Sequence, residues 1–173
     1  GIISDALVEA NILYGNGQAG GSAINCDGVQ SSRIRNNLIY DTHASGISLY
    51  MIDGGEPAKN NVVVNNTILV ASNGRWAINI QNASTGTHLY NNILGNAHPS
   101  RGSIDIAADA LPGFVSNNNV MLDRFTTDDS NTILQLAGWQ AATGQDAASS
   151  VADPMFVSPG ADDYHVQAAS PAV

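Results

Sequence analysis

Few side chains in this sequence can move a proton or grip an anion, because only 12% of residues are charged. His43 has an ordinary pKa that lets it act as acid or base. Asp53, Glu56 and Lys59, the only lysine, share one stretch, Tyr50–Asn60. Arg75 lies three residues before Ile78, and Arg101 three before Ile104. Arginine suits planar, bidentate recognition of a carboxylate or sulfate group. Asp105 stands close to Arg101 in sequence and is one candidate partner, an anionic group of a sugar being the other. Asp27, Asp53, Glu56 and Asp105 are the carboxylates available for paired acid and base work. Tyr50 offers a ring that a sugar can stack on, and Asn79 an exposed amide.

The positions of these residues follow from a repeat. Arg33–Tyr40, Val62–Leu69 and His88–Leu94 carry one pattern, an Asn pair set between short apolar alternations. Leu7–Tyr14 is a weaker copy, and Val115–Val120 a degenerate one. The second Asn of each copy (Asn11, Asn37, Asn66, Asn92, Asn119) recurs at intervals of 26, 29, 26 and 27 residues. A period in this range signals stacked repeats. After each pair and a variable gap comes a short alternating strand: Ala23–Cys26, Gly46–Leu49, Ala77–Ile80 and Ser103–Ile106. Alternation of period two puts one face inward. Ile24, Ile47, Ile78 and Ile104 form one inward row, and Cys26, Leu49, Ile80 and Ile106 the next. Val8, Ile34, Val63 and Leu89 form a third, and Leu13, Ile39, Ile68 and Leu94 a fourth. Asn25, Ser48, Asn79 and Asp105 point outward, while Trp76 has inward parity.

Three short strands per repeat, with no helix between them, predict an all-β parallel β-helix of about four to five turns over residues 1–125. The Asn pairs have a structural role. Asn tolerates left-handed backbone and bonds its own main chain in tight bends, and stacked Asn side chains bond one another. Beyond residue 125 the pattern changes. Asp128–Thr132 starts a helix over about 132–143 that ends at Thr143-Gly144, capping the open end. The tail to residue 173 is strand-like and packs back along the side.

These repeats resemble those of right-handed parallel β-helix proteins of the pectate-lyase-like superfamily, over about residues 2–120. The two-residue Asn turn and the strand after a variable loop carry the resemblance. The tail, Leu136–Asp146, Asp153–Val157, Asp163–Val166 and Ser170–Ala172, resembles one that often closes such bacterial proteins. The superfamily includes polysaccharide lyases, glycoside hydrolases, epimerases, tailspikes and non-catalytic surface proteins. Its enzymes use the outer face of the strand after the variable loop. The resemblance therefore implies a working surface with His43, Asp53, Lys59 and Arg101 as catalytic candidates. Asp27, Tyr50, Arg75, Asn79 and Asp105 are the matching substrate-binding candidates.

A lyase of this kind removes the proton beside a uronate carboxylate. It needs a base and a cation, Ca²⁺ or Arg, to neutralise that carboxylate. A hydrolase needs two carboxylates, but Asp27 and Asp105 are three turns apart, roughly 14 Å at the strand spacing. No aspartate run specifies a calcium site and no His pair has zinc spacing. The expectation is a secreted, lyase-like β-helix acting on an acidic polysaccharide outside the cell or in the periplasm. The alternative is a non-catalytic carbohydrate-binding or surface module of a larger extracellular protein. Convergence of His43, Asp53, Lys59, Arg75 and Arg101 on one groove would favour the enzyme, and scatter the module.

Composition narrows the partners. A net charge of −9 disfavours nucleic acid and anionic membranes. No apolar run is long enough to span a bilayer. Cys26, the single cysteine, falls in an inward row and reads as a core thiol. The stretch Tyr50–Asn60 holds about five more residues than its counterparts, and function concentrates in such loops. The chain starts in mid-repeat, which predicts either upstream turns or self-association through an uncapped first turn.

Overall fold

A computed structural model describes residues 2–173. The chain winds as a parallel β-solenoid whose strands stack into three sheets. Sheet 1 contains Leu7–Glu9, Arg33–Arg35, Val62–Val64, His88–Tyr90 and Val115–Asn117. Sheet 2 contains Ile12–Tyr14, Leu38–Thr42, Thr67–Val70, Ile93–Asn96, Val120–Met121 and Ser150–Val151. Sheet 3 contains Ser22–Asp27, Ser45–Tyr50, Ile78–Ile80, Ile104–Ile106 and Phe125–Thr126.

The register matches the inward rows read from the sequence. Val8 pairs with Ile34, Ile34 with Val63, and Val63 with Leu89. In sheet 3, Ile24 pairs with Ile47, Ile47 with Ile78, and Ile78 with Ile104. These rows form one continuous core, in which Ile39, Ile47, Leu49, Ile68, Ile78, Ile80 and Leu94 are wholly buried. Each such side chain contributes roughly 1.5–3 kcal/mol by leaving water. Cys26 lies in this core, and burial pushes its thiol pKa up to about 11, so it is inert.

The corner between sheets 1 and 2 needs one residue in the left-handed region. Asn36, Asn65, Asn91 and Asn118 fill it with φ of 55–57°. The second Asn turns inward and is buried. Asn11 donates from Nδ2 to Asn37 Oδ1 at 2.9 Å, Asn37 to Asn66 at 2.9 Å, Asn66 to Asn92 at 3.1 Å and Asn92 to Asn119 at 3.1 Å. The same oxygens accept the backbone N–H one turn back. The ladder thus satisfies the groups that the bend takes out of the sheets.

Two expectations need correction. Sheet 2 has six strands, so the solenoid runs to about six turns rather than four to five. Ser150–Val151 returns to pair with Val120–Met121 after the cap, and Ser149 Oγ accepts the Asn119 N–H at 2.9 Å. The helix spans Leu136–Thr143, shorter than 132–143. Residues 126–132 instead fold around Asp128, whose Oδ1 accepts from Thr126 Oγ1 and Thr132 N at 2.8 and 2.9 Å. Leu134 then pairs back to Phe125, and Asp123 Oδ1 accepts the Leu136 N–H at the helix start. Gly144, at φ 71°, ends the helix in the left-handed conformation.

The helix caps the core as expected. Trp139 is fully buried, stacked 5.2 Å from Phe125 and edge-on to Phe114. Its Nε1–H donates to Asp146 Oδ2 at 2.8 Å. Asp146 Oδ1 accepts from Ser116 Oγ, Asn119 Nδ2 and Ser149 Oγ, so one buried carboxylate joins cap, ladder and last turn. The tail hairpin, Phe156–Ser158 with Asp163–Val166, sets Tyr164 4.9 Å from Tyr40 of sheet 2.

Candidate functional site

The outer face of sheet 3 carries a groove. One half is lined by Asn25, Ser48, Tyr50, Arg75, Asn79 and Gln81, the other by Arg75, Trp76, Asn79, Gln81, Arg101 and Asp105. The halves share Arg75, Asn79, Gln81 and Asn82, so they form one channel crossing successive turns. Its floor is tied by side-chain hydrogen bonds. Asn79 Nδ2 donates to Ser48 Oγ at 3.3 Å, and Gln81 Nε2 donates to both Asn79 Oδ1 and Asp105 Oδ1, at 3.2 and 3.1 Å. Asn25 Nδ2 donates to the Tyr50 hydroxyl at 2.7 Å.

The arginines reach the groove from the corner between sheets 2 and 3. Gly74 and Gly102 permit the close backbone approach there. A Cβ on Gly74 would strike Val70 and the Thr42 carbonyl, and one on Gly102 the Arg124 carbonyl. Asn96 Nδ2 donates to the carbonyls of Arg75 and Gly102, at 2.6 and 2.9 Å, linking the two turns. Arg101 does not pair with Asp105 as the sequence suggested. Its Nη1 donates to the Gly74 carbonyl at 3.1 Å. Among the described residues, the only Lys or Arg ion pairs are Arg35 with Glu9 and Lys59 with Glu56. Arg75, Arg101 and Arg124 are therefore free of carboxylate partners. Arg101 and Arg124 also stand near His98, and after burial they are what holds its pKa below the usual histidine value.

Asp105 is the most perturbed group in the groove. It points outward from its strand yet is 2% exposed, covered on the loop side where Asp129 and Ser130 complete the lining. Trp76 is buried as its parity predicts, but outside the continuous core cluster, just before the strand Ile78–Ile80. It packs at the groove side, where its Nε1–H donates to Ser130 Oγ at 3.1 Å. Burial raises the Asp105 pKa to about 6. Asp129 and Asp128 push in the same direction, while the Gln81 bond and Arg101 oppose them.

Of the expected catalytic residues, the groove brings in only Arg101. His43 Nδ1 is 2.7 Å from Asn73 Oδ1, and its Nε2 is 3.7 Å from Asp41 Oδ2. Lys59 faces Glu56 at 3.4 Å. Asp53 gives its backbone N–H to Asp27 and does not line the groove. Of the expected binding residues, Tyr50, Arg75, Asn79 and Asp105 line it and Asp27 does not. The Asp27 carboxylate accepts the N–H groups of Ile52, Asp53 and Gly54 at 2.8, 2.8 and 3.0 Å. These bonds hold its pKa below the usual carboxylate range and fasten the inserted loop.

Among the described residues no three His, Cys, Asp or Glu side chains converge in a metal-holding group, and Asp128 is taken up by Thr126 and Thr132. No protein-family model, curated protein or solved structure matches this chain. What the groove can do rests on its own residues. It offers two guanidiniums that form no ion pair, a row of amides and hydroxyls, one tyrosine, the buried acid Asp105 and a second carboxylate, Asp129.

Proposed function

We propose that this chain is a carbohydrate-binding β-solenoid that holds an acidic polysaccharide along the groove of sheet 3, outside the cell or in the periplasm. The observation that carries this reading is the pairing state of the arginines. In a chain of net charge −9, Arg75 and Arg101 line one groove with no carboxylate on either. Equivalent positions on successive turns lie about 4.8 Å apart, close enough for adjacent anionic groups of one polymer. Tyr50 suits stacking on a pyranose, and Asn25, Ser48, Asn79 and Gln81 suit hydroxyl groups. The likeness of the Asn-turn repeat to pectate-lyase-like β-helices agrees with a uronate ligand. Scatter of His43, Asp53 and Lys59 away from the groove favours binding over catalysis.

The test is calorimetric binding to uronate-rich and neutral polysaccharides. Arg75→Ala with Arg101→Ala should weaken uronate binding at least about tenfold, with Arg33→Ala as the surface control. Equal binding of neutral polymers, or no loss in the double variant, would sink the reading.

One observation favours a second reading, a lyase-like enzyme. Asp105 is a buried acid with a pKa of about 6 in the same groove as Arg101, a combination that marks proton-transfer groups. An increase in ultraviolet absorbance from unsaturated ends, abolished by Asp105→Asn, would establish it.

A further inference from the structure

Asp105 does more than line the groove. Its carboxylate is 2% exposed, bonded by Gln81 from the neighbouring turn and flanked by Arg101 from the corner before its own strand. Asp128 and Asp129 face it from the loop after Phe125–Thr126. Arg75 shares the groove, and His98 lies near Arg101 and Arg124. An anion entering beside Arg101 therefore meets a negative charge that solvent does not screen.

We propose that Asp105 is a charge gate: ionised, it repels a carboxylate approaching the groove arginines, and protonated, it removes that repulsion. This rests on the reading of the groove as an acidic-polysaccharide site. The conditions for such a gate are met. The group is buried, the loop acids raise its proton affinity, and its titration falls near pH 6. Binding of a polyanion should strengthen as pH falls through that value. By reciprocity the bound polyanion should raise the proton affinity of Asp105 by the same factor. Gln81 lets the floor survive the change, because a neutral carboxyl still offers Oδ1 to the Nε2–H. His98 would act in the same direction, but Arg101, Arg124 and burial hold it neutral to lower pH than an ordinary histidine.

The experiment is calorimetric titration with short galacturonate oligomers at constant ionic strength, near pH 5 and near pH 7.5, where uronate carboxylates stay ionised. The intact chain should bind about tenfold more tightly at the lower pH. Asp105→Asn should bind at both pH values as the intact chain does at the lower one. If Asp105→Asn keeps the full pH dependence, the gate belongs to another group such as His98 and the proposal falls. If the intact chain binds equally at both pH values, the gate falls while the groove reading stands. If neither protein binds at either pH, the groove reading fails and the gate with it.

Discussion

At the scale of single residues, the conflict lies in Asp105. A carboxylate buried among neutral amides and opposed by Asp128 and Asp129 costs folding free energy when ionised. Its folded pKa of about 6 is above the ordinary value, so the folded chain binds the proton more tightly than the unfolded one. The stability this contributes is present below pH 4 and is lost as pH rises from about 4 to about 6. Asp105→Asn should therefore stabilise the chain by up to about 3 kcal/mol near neutral pH and by little near pH 4. Urea unfolding at both pH values measures this, and a constant difference would refute it. The sequence showed Asp105 as an outward residue beside Arg101 but not its burial. That burial depends on residues 126–132, which belong to no repeat. His43, Asp53 and Lys59 were legible as chemistry but not as direction. All three sit at corners or in the inserted loop, where strand alternation no longer tells which way a side chain points.

At the scale of elements, the rows and the ladder were legible because each recurs. A repeated position must meet the same surroundings on every turn, and the register follows. The sixth strand of sheet 2 was hidden because a helix separates it from the last Asn pair, and Ser149 does the work of an asparagine there. Along the ladder, position sets the cost of a substitution. Asn66 accepts two bonds from Asn37 and donates to Asn92 and to the Ile34 carbonyl, all in the interior. Asn66→Ala should cost about 3 kcal/mol or more, since buried donors and acceptors are left without partners. Asn11 lies at the exposed end and donates only to Glu9 and Asn37. Asn11→Ala should cost less than about 1 kcal/mol, and thermal or denaturant unfolding of the two variants would compare them. Equal losses would mean that the ladder does not act as a buried network.

At the scale of the whole molecule, each turn rests mainly on its neighbours, so stability should vary along the axis. The first turn is thinly covered. Its inward residues Val8 and Leu13 are only half-buried, whereas their row equivalents on later turns, such as Leu89 and Leu94, are fully buried. Amide exchange should be fastest over residues 2–14 and slowest over the strands of sheet 3 between Ile47 and Ile106. Mass-spectrometric hydrogen exchange would show this, and uniform protection would indicate a single cooperative unit instead. The opposite end is closed by Trp139, Phe125 and Asp146, so opening should proceed from one side.

The asparagine ladder also has an electrical sense. Each member from Asn11 to Asn92 donates one amide hydrogen to the oxygen of the Asn on the next turn, so the oxygens of Asn37, Asn66, Asn92 and Asn119 all face the previous turn. The amide dipoles add, as peptide dipoles do along a helix, and each bond polarises the next. The positive end of the column is Asn119, and there the acceptor is the carboxylate of Asp146. An anion at the positive pole is the complement that a helix finds in an acidic residue at its N-terminus. The two ends of the column thus differ in kind. One presents an amide oxygen that another asparagine can extend, and the other is closed by a charge of opposite sign.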